Sequence, residues 1–201
     1  FGYQRGNSGV TVGGNEVKID GFGVAGEIGY RPEESKWEFT VKGGYVTGDD
    51  PSTPDKFEGY VFDRNYEVAT LLFNHPMGRA DILRTGIQRA VTATASTYAD
   101  TESVSNAIYV SPMAVWNWTE RTSMFGRLTM AWLEQDSIAN VGMSKNLGTE
   151  FDFGLTYRPI PKVEWRNEVA LFFPGDAWNG GSMDLGSKFS YGYMTRAAIS
   201  F

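Results

Sequence analysis

Residues 146–158 read NLGTEFDFGLTYR, an order of side chains that few folds admit. Leu147, Phe151, Phe153, Leu155 and Tyr157 take alternate positions against Gly148, Glu150, Asp152, Thr156 and Arg158. A strand has a side-chain period of two, so this alternation describes an extended segment with one greasy face and one small or charged face. The pattern returns along the chain. Phe22, Val24, Ile28 and Tyr30 oppose Gly21, Gly23, Ala25, Glu27 and Arg31; Trp37, Phe39, Val41 and Tyr45 oppose Glu38, Thr40, Lys42 and Gly44. Residues 106–118 set Ile108, Val110, Ala114, Trp116 and Trp118 against Tyr109, Ser111, Met113 and Asn117, and residues 123–134 set Met124, Leu128, Met130 and Trp132 against Phe125, Arg127, Thr129 and Ala131. Trp165, Val169, Leu171 and Phe173 oppose Glu164, Arg166, Glu168 and Ala170, and the last strand opposes Phe189, Tyr191, Tyr193 and Ile199 to Gly192, Met194 and Arg196. Two positions fit poorly. Pro112 cannot donate to a ladder and belongs at a bulge or an unpaired place, and Asn167 falls on the apolar face of its strand.

The connections narrow the fold further. Short turns at 31–36, 119–122 and 158–162 alternate with longer connections at 6–16, 48–105, 135–145 and 174–187. Short turns on one side, long loops on the other and strands of about 9–11 residues or more describe an all-β antiparallel transmembrane β-barrel, a meander of about eight strands. A lipocalin-like barrel or a β-sandwich turns its apolar face inward instead. The aromatics favour the membrane reading. Traced alternately up and down, Tyr30, Trp37, Trp116, Trp118, Tyr157, Trp165 and Phe201 reach one level, while Tyr45, Trp132, Phe173, Phe189 and Tyr191 reach the other. Two girdles flanking an aliphatic band suit amphipathic rings at lipid–water boundaries. The expected lumen carries Arg31, Lys42, Arg127, Arg158, Arg166 and Arg196 against Glu27, Glu38, Glu150, Asp152, Glu164 and Glu168, read as mutually stabilising ion pairs that hold water.

Composition removes other classes. The 201 residues carry a net charge of -6 and no cysteine, which leaves no basic stripe for nucleic acid and no disulfide or thiolate chemistry. The single His, His75, lies in the long connection before Pro76, without a strand Ser beside it, so no catalytic residue is expected and the chain reads as a non-enzyme. Asp49, Asp50 and Asp55 offer oxygen ligands without an EF-hand spacing. They read as a solvated loop, so neither metal nor cofactor is expected.

The final aromatic strand resembles the C-terminal signature of bacterial outer-membrane proteins. That resemblance implies that Tyr191, Tyr193, Ile199 and Phe201 are the signal read by the barrel-assembly machinery, with membrane lipid and lipopolysaccharide as surroundings. The stretches GYVTGDD, EGYVFDRNYEVATLLFN and LTYRPIPKVEWRNEVALFFPGD resemble the C-terminal part of alginate-export-type barrels, many-stranded channels of which the best-known member passes an acidic polysaccharide. A polyanion pore calls for excess Arg and Lys, whereas the charges of the expected lumen balance, so an acidic polymer is not the expected cargo. The function expected is a channel passing small polar solutes or saccharides; the alternative is a non-conducting anchor, adhesin or scaffold for a partner complex.

The connection 48–105 is expected to cap the barrel outside or fold into its lumen, because Tyr60, Val61, Phe62, Tyr66, Val68, Leu71, Leu72 and Phe73 need burial. Residues 65–74 read as a short helix opened near Asp63 or Asn65 and stopped by Pro76, and Ile82 to Ala95 as strand extensions. Residues 1–201 read as a single barrel domain. Phe1 to Gly6 read as a strand stub too short to cross the membrane, which makes the expected domain the C-terminal part of a larger barrel, incomplete at its N-terminus.

Overall fold

The computed structural model describes residues 1–50, 52–63, 65–74, 103–136, 144–180 and 188–200. Among these residues one sheet holds nine strands: β1 (Gly2–Val12), β2 (Asn15–Tyr30), β3 (Trp37–Val46), β4 (Lys56–Phe57), β5 (Ala107–Thr119), β6 (Thr122–Leu133), β7 (Asn146–Ile160), β8 (Val163–Pro174) and β9 (Ser190–Ile199). Their order is β1-β2-β3-β5-β6-β7-β8-β9, and every ladder along this path is antiparallel, while the two-residue β4 lies parallel to β2 off the path. Among the described residues there is no α-helix; Asp176–Gly180 forms one 3-10 turn. β1 pairs with β2 and β9 with β8, and no ladder joins β9 to β1.

The alternating segments form the strands they predict, with four differences. The 6–16 connection is not a loop. Strands β1 and β2 run on to a tight turn at Gly13 and Gly14, whose φ angles of 58° and 90° suit a two-glycine hairpin. The N-terminal segment is therefore a strand of 11 residues rather than a stub. Leu147, placed by alternation with the outward residues, turns into the core. The β6–β7 register shifts between Ala131 and Trp132, with Gly148 at φ 112°, and the extra residue of this bulge sends Leu147 to the other side. Residues 65–74 make turns instead of a helix. Pro112 faces Val41 on β3, while the β5–β6 ladder skips Ser111 and Pro112, as its missing donor requires. Asn167 keeps its register on the apolar face, where Tyr193 Oη donates to its Oδ1 at 2.7 Å.

The two faces of the sheet differ in kind. One carries a run of exposed apolar side chains, among them Ile28 (78% exposed), Tyr191 (77%) and Phe153 (52%). The other carries a core in which Val46, Tyr109, Leu133, Leu147 and Phe172 of the strands pack against Val68, Leu72 and Phe73 of the long connection and against Trp178. Apolar contact thus covers part of the face that also bears the charges. Residues 58–63 and 65–74, called the insert below, lie along this polar face from β1 to β9. Gln4 Nε2 donates to the carbonyl of Gly59 at 2.6 Å, Tyr66 and Tyr109 share a hydroxyl hydrogen bond of 2.7 Å, and Leu71 packs on Gly192. The polar face is therefore concave, with the insert seated in the hollow.

Candidate functional site

The charged residues of the polar face meet one another in pairs that the strand register sets up. Glu27 and Lys42 are direct partners across β2–β3, and their side chains approach to 3.6 Å. Arg31 reaches Glu38 at 3.1 Å, and Glu38 also accepts from Asn117 Nδ2 at 2.8 Å. Arg158 and Glu164 close the turn between β7 and β8 at 2.7 Å. Arg127 and Asp152 are register partners on β6–β7, with a two-point contact of 2.7 and 2.8 Å. Arg166 and Arg196 stand opposite each other across β8–β9, and both reach Glu168, Arg196 at 3.6 Å.

Not all of these groups meet water. Glu150 and Asp152 are fully buried and Glu168 is 3% exposed, so the wet ion pairs expected at these positions are, for these three, a covered network. Over Glu150 and Asp152 the cover is the insert. Among the described residues Glu150 has no cationic partner; its Oε1 accepts the amides of Thr70 and Leu71 at 2.9 and 2.7 Å, and its Oε2 accepts that of Leu72 at 2.7 Å. Three consecutive amides turned onto a carboxylate cannot also serve a helix, which is the physical reason residues 65–74 stay in turns. Arg127 adds a bond to Thr70 Oγ1 at 3.0 Å, and the hydroxyls of Ser111 and Thr129 reach the carbonyl of Val68 at 3.2 and 3.3 Å. Asp63 Oδ1 accepts the Asn65 amide at 2.8 Å, so Asp63 braces a turn in place of the expected helix start.

Small residues make room for this seating. A Cβ on Gly21 would stand 2.8 Å from the carbonyl oxygens of Glu58 and Gly59, and one on Gly23 would strike the Phe62 ring. The thin character of the polar face is thus partly the footprint of the insert.

The aromatic residues fall at two levels by register. Trp37 pairs with Trp116, their rings stacked at 5.9 Å, and Trp116 stacks on Trp118 at 6.2 Å. Tyr157 pairs with Trp165 at the same end of the strands, where Tyr30 is 66% exposed beside the 31–36 turn. At the other end Tyr45 pairs with Ile108 and Ile108 with Trp132, while Phe173 and Tyr191 both contact Phe189, at 5.1 and 6.2 Å. Trp37 and Tyr45 are about 27 Å apart along β3 at the usual strand rise. Tyr193 and Ile199 are exposed on β9, while Phe201, His75, Pro76 and Ile82 to Ala95 lie outside the described residues.

Sequence reasoning missed Glu67, the amides of Thr70 to Leu72 and the Tyr66–Tyr109 pair. A signal did exist: glycine-rich patches on the polar face beside a connection rich in residues that need burial. Near the other end of the long connection, Asp49 Oδ1 accepts the Glu58 amide at 3.2 Å and Asp50 Oδ1 the Ser52 amide at 2.8 Å. Among the described residues, no group of three or more His, Asp or Glu side chains converges on a metal position. No protein-family model matches the chain, and no curated protein matches it.

Proposed function

We propose that this chain is a β-barrel protein of the bacterial outer membrane, acting as a channel for passive or selective passage of small polar solutes or saccharides. The insert narrows its lumen. The observation that carries the reading is the sidedness of the sheet. The apolar face is the exposed one, with an aromatic level at each end of the strands and a band of aliphatic residues with Phe151, Phe153 and Tyr193 between them, while the concave face holds the charges. Water is a poor solvent for the first face and lipid a good one. In this reading, lipid and lipopolysaccharide cover the apolar face and the barrel-assembly machinery reads Tyr191, Tyr193, Ile199 and Phe201. A bilayer cannot satisfy open edges, so in this reading the free edges of β1 and β9 are paired when the sheet lies in lipid. Arg31, Lys42, Arg127, Arg158, Arg166 and Arg196 with Glu27, Glu38, Glu150, Asp152, Glu164 and Glu168 form the wall, partly under the insert. The chain has no chemistry of its own in this role and is not an enzyme.

A second reading follows from the core. Val68, Leu72 and Phe73 fill the concavity with packed side chains, which suits a non-conducting anchor or scaffold. Planar-bilayer recording on the intact purified protein separates the two. Discrete, reproducible conductance steps are expected; a silent bilayer containing inserted protein would leave the anchor.

A further inference from the structure

Glu67 touches two strands that are far apart in the sheet. Its carbonyl accepts from Lys42 Nζ of β3 at 3.3 Å, and its carboxylate lies 3.9 Å from Arg196 of β9. The charges around Arg196 are uneven. Arg166 and Arg196 face each other directly across β8–β9, both on the polar face, and the strand carboxylate they share is the buried Glu168. Like charges placed opposite one another repel, and two guanidinium groups against one carboxylate leave a positive excess. Both remain open to solvent, with side chains 31% and 45% exposed. Arg166 Nε is a buried donor with no hydrogen-bond partner among the described residues. Such a place suits a small carboxylate.

We infer that Arg166 and Arg196 form an anion subsite and that the Glu67 carboxylate is its built-in occupant. With Glu67 in place the local charge closes: Arg166, Arg196 and Lys42 against Glu168, Glu67 and Glu27. The passage is then set for uncharged polar solutes rather than anions. Glu67 is a specificity-determining residue whose contact, long and with both partners about half exposed, holds the site without hydrogen-bonding it shut. The selectivity consequence rests on the channel reading, whereas the binding consequence does not.

Two measurements separate these. The first is equilibrium dialysis of the full chain in detergent against labelled malonate, comparing the native protein with E67Q and E67Q/R196Q. E67Q is expected to retain malonate at least about tenfold more tightly than the native protein, and the double variant to lose that gain. Equal retention by native protein and E67Q overturns the inference, as does a gain that survives R196Q. The second is the reversal potential in a salt gradient across planar bilayers, where E67Q is expected to shift towards chloride permeation. Absence of current in both proteins overturns the channel reading, while the malonate result still decides the subsite.

Discussion

Thr40 and Val41 adjoin on β3, yet their side chains leave the sheet on opposite sides. Val41 is 47% exposed among apolar neighbours, and Thr40 is half-buried between Glu38 and Lys42. An arginine at Val41 stands between the two aromatic levels and is expected to destabilise the protein in lipid by about 2–4 kcal/mol. Thr40→Arg joins a row that already carries paired charges and is expected to cost well under half as much. Reversible unfolding in lipid vesicles measures both, and equal losses would remove the lipid-facing assignment. At this scale the sequence was largely legible, because period two settles which side chain shares a face with which. Glu27 with Lys42 and Arg127 with Asp152 follow from alternation plus register. Glu150 did not follow. Its partners are backbone amides 78 to 80 positions earlier in the chain, and an amide carries no residue-type signal.

The strands were readable as elements because each is long and strongly alternating, while the irregular pieces were not. The Gly13–Gly14 hairpin is hidden in the sequence because Asn7, Ser8 and Gly9 weaken the alternation before it, and the β1–β2 register itself shifts between Asn7 and Thr11. Residues 65–74 depart from the expected helix because their apolar residues answer to a concave sheet face rather than to one side of a cylinder. The seat of the insert can be tested at Glu150. Glu150→Ala leaves the amides of Thr70, Leu71 and Leu72 buried without acceptors, at about 1–3 kcal/mol for each group so stranded. Hydrogen exchange at these three amides is expected to accelerate strongly in that variant, while the β7–β8 ladder stays protected. Unchanged protection at Thr70 to Leu72 would show that apolar packing alone seats the insert. Gly192→Val is expected to act in the same direction from the other wall, because Leu71 already lies 2.8 Å from where a Cβ would stand.

For the whole molecule, the short turns at 31–36, 119–122 and 158–162 gather at one end of the sheet, while the long connections and the Gly13–Gly14 hairpin stand at the other. If the short-turn end faces the periplasm, cysteine at Asn179, which is exposed beyond β8, should react with an impermeant maleimide on intact cells. Cysteine at Glu33 or Glu120 should react only after the cells are lysed; the reverse pattern would turn the molecule over. That one sheet organises the chain was legible from the recurrence of a single pattern, whereas the filling of its hollow was not, since concavity emerges only when all the strands are assembled. The insert also imposes an order of events on the chain. Residues 70–72 are synthesised well before Glu150, about 80 positions ahead of the carboxylate that receives them, so they wait unpartnered until β7 has joined the sheet. Contacts of such long sequence separation form slowly. During that interval Val68, Leu71, Leu72 and Phe73 have not yet reached their seat, which makes the closing of the hollow a late step and the waiting chain the form most open to misassociation.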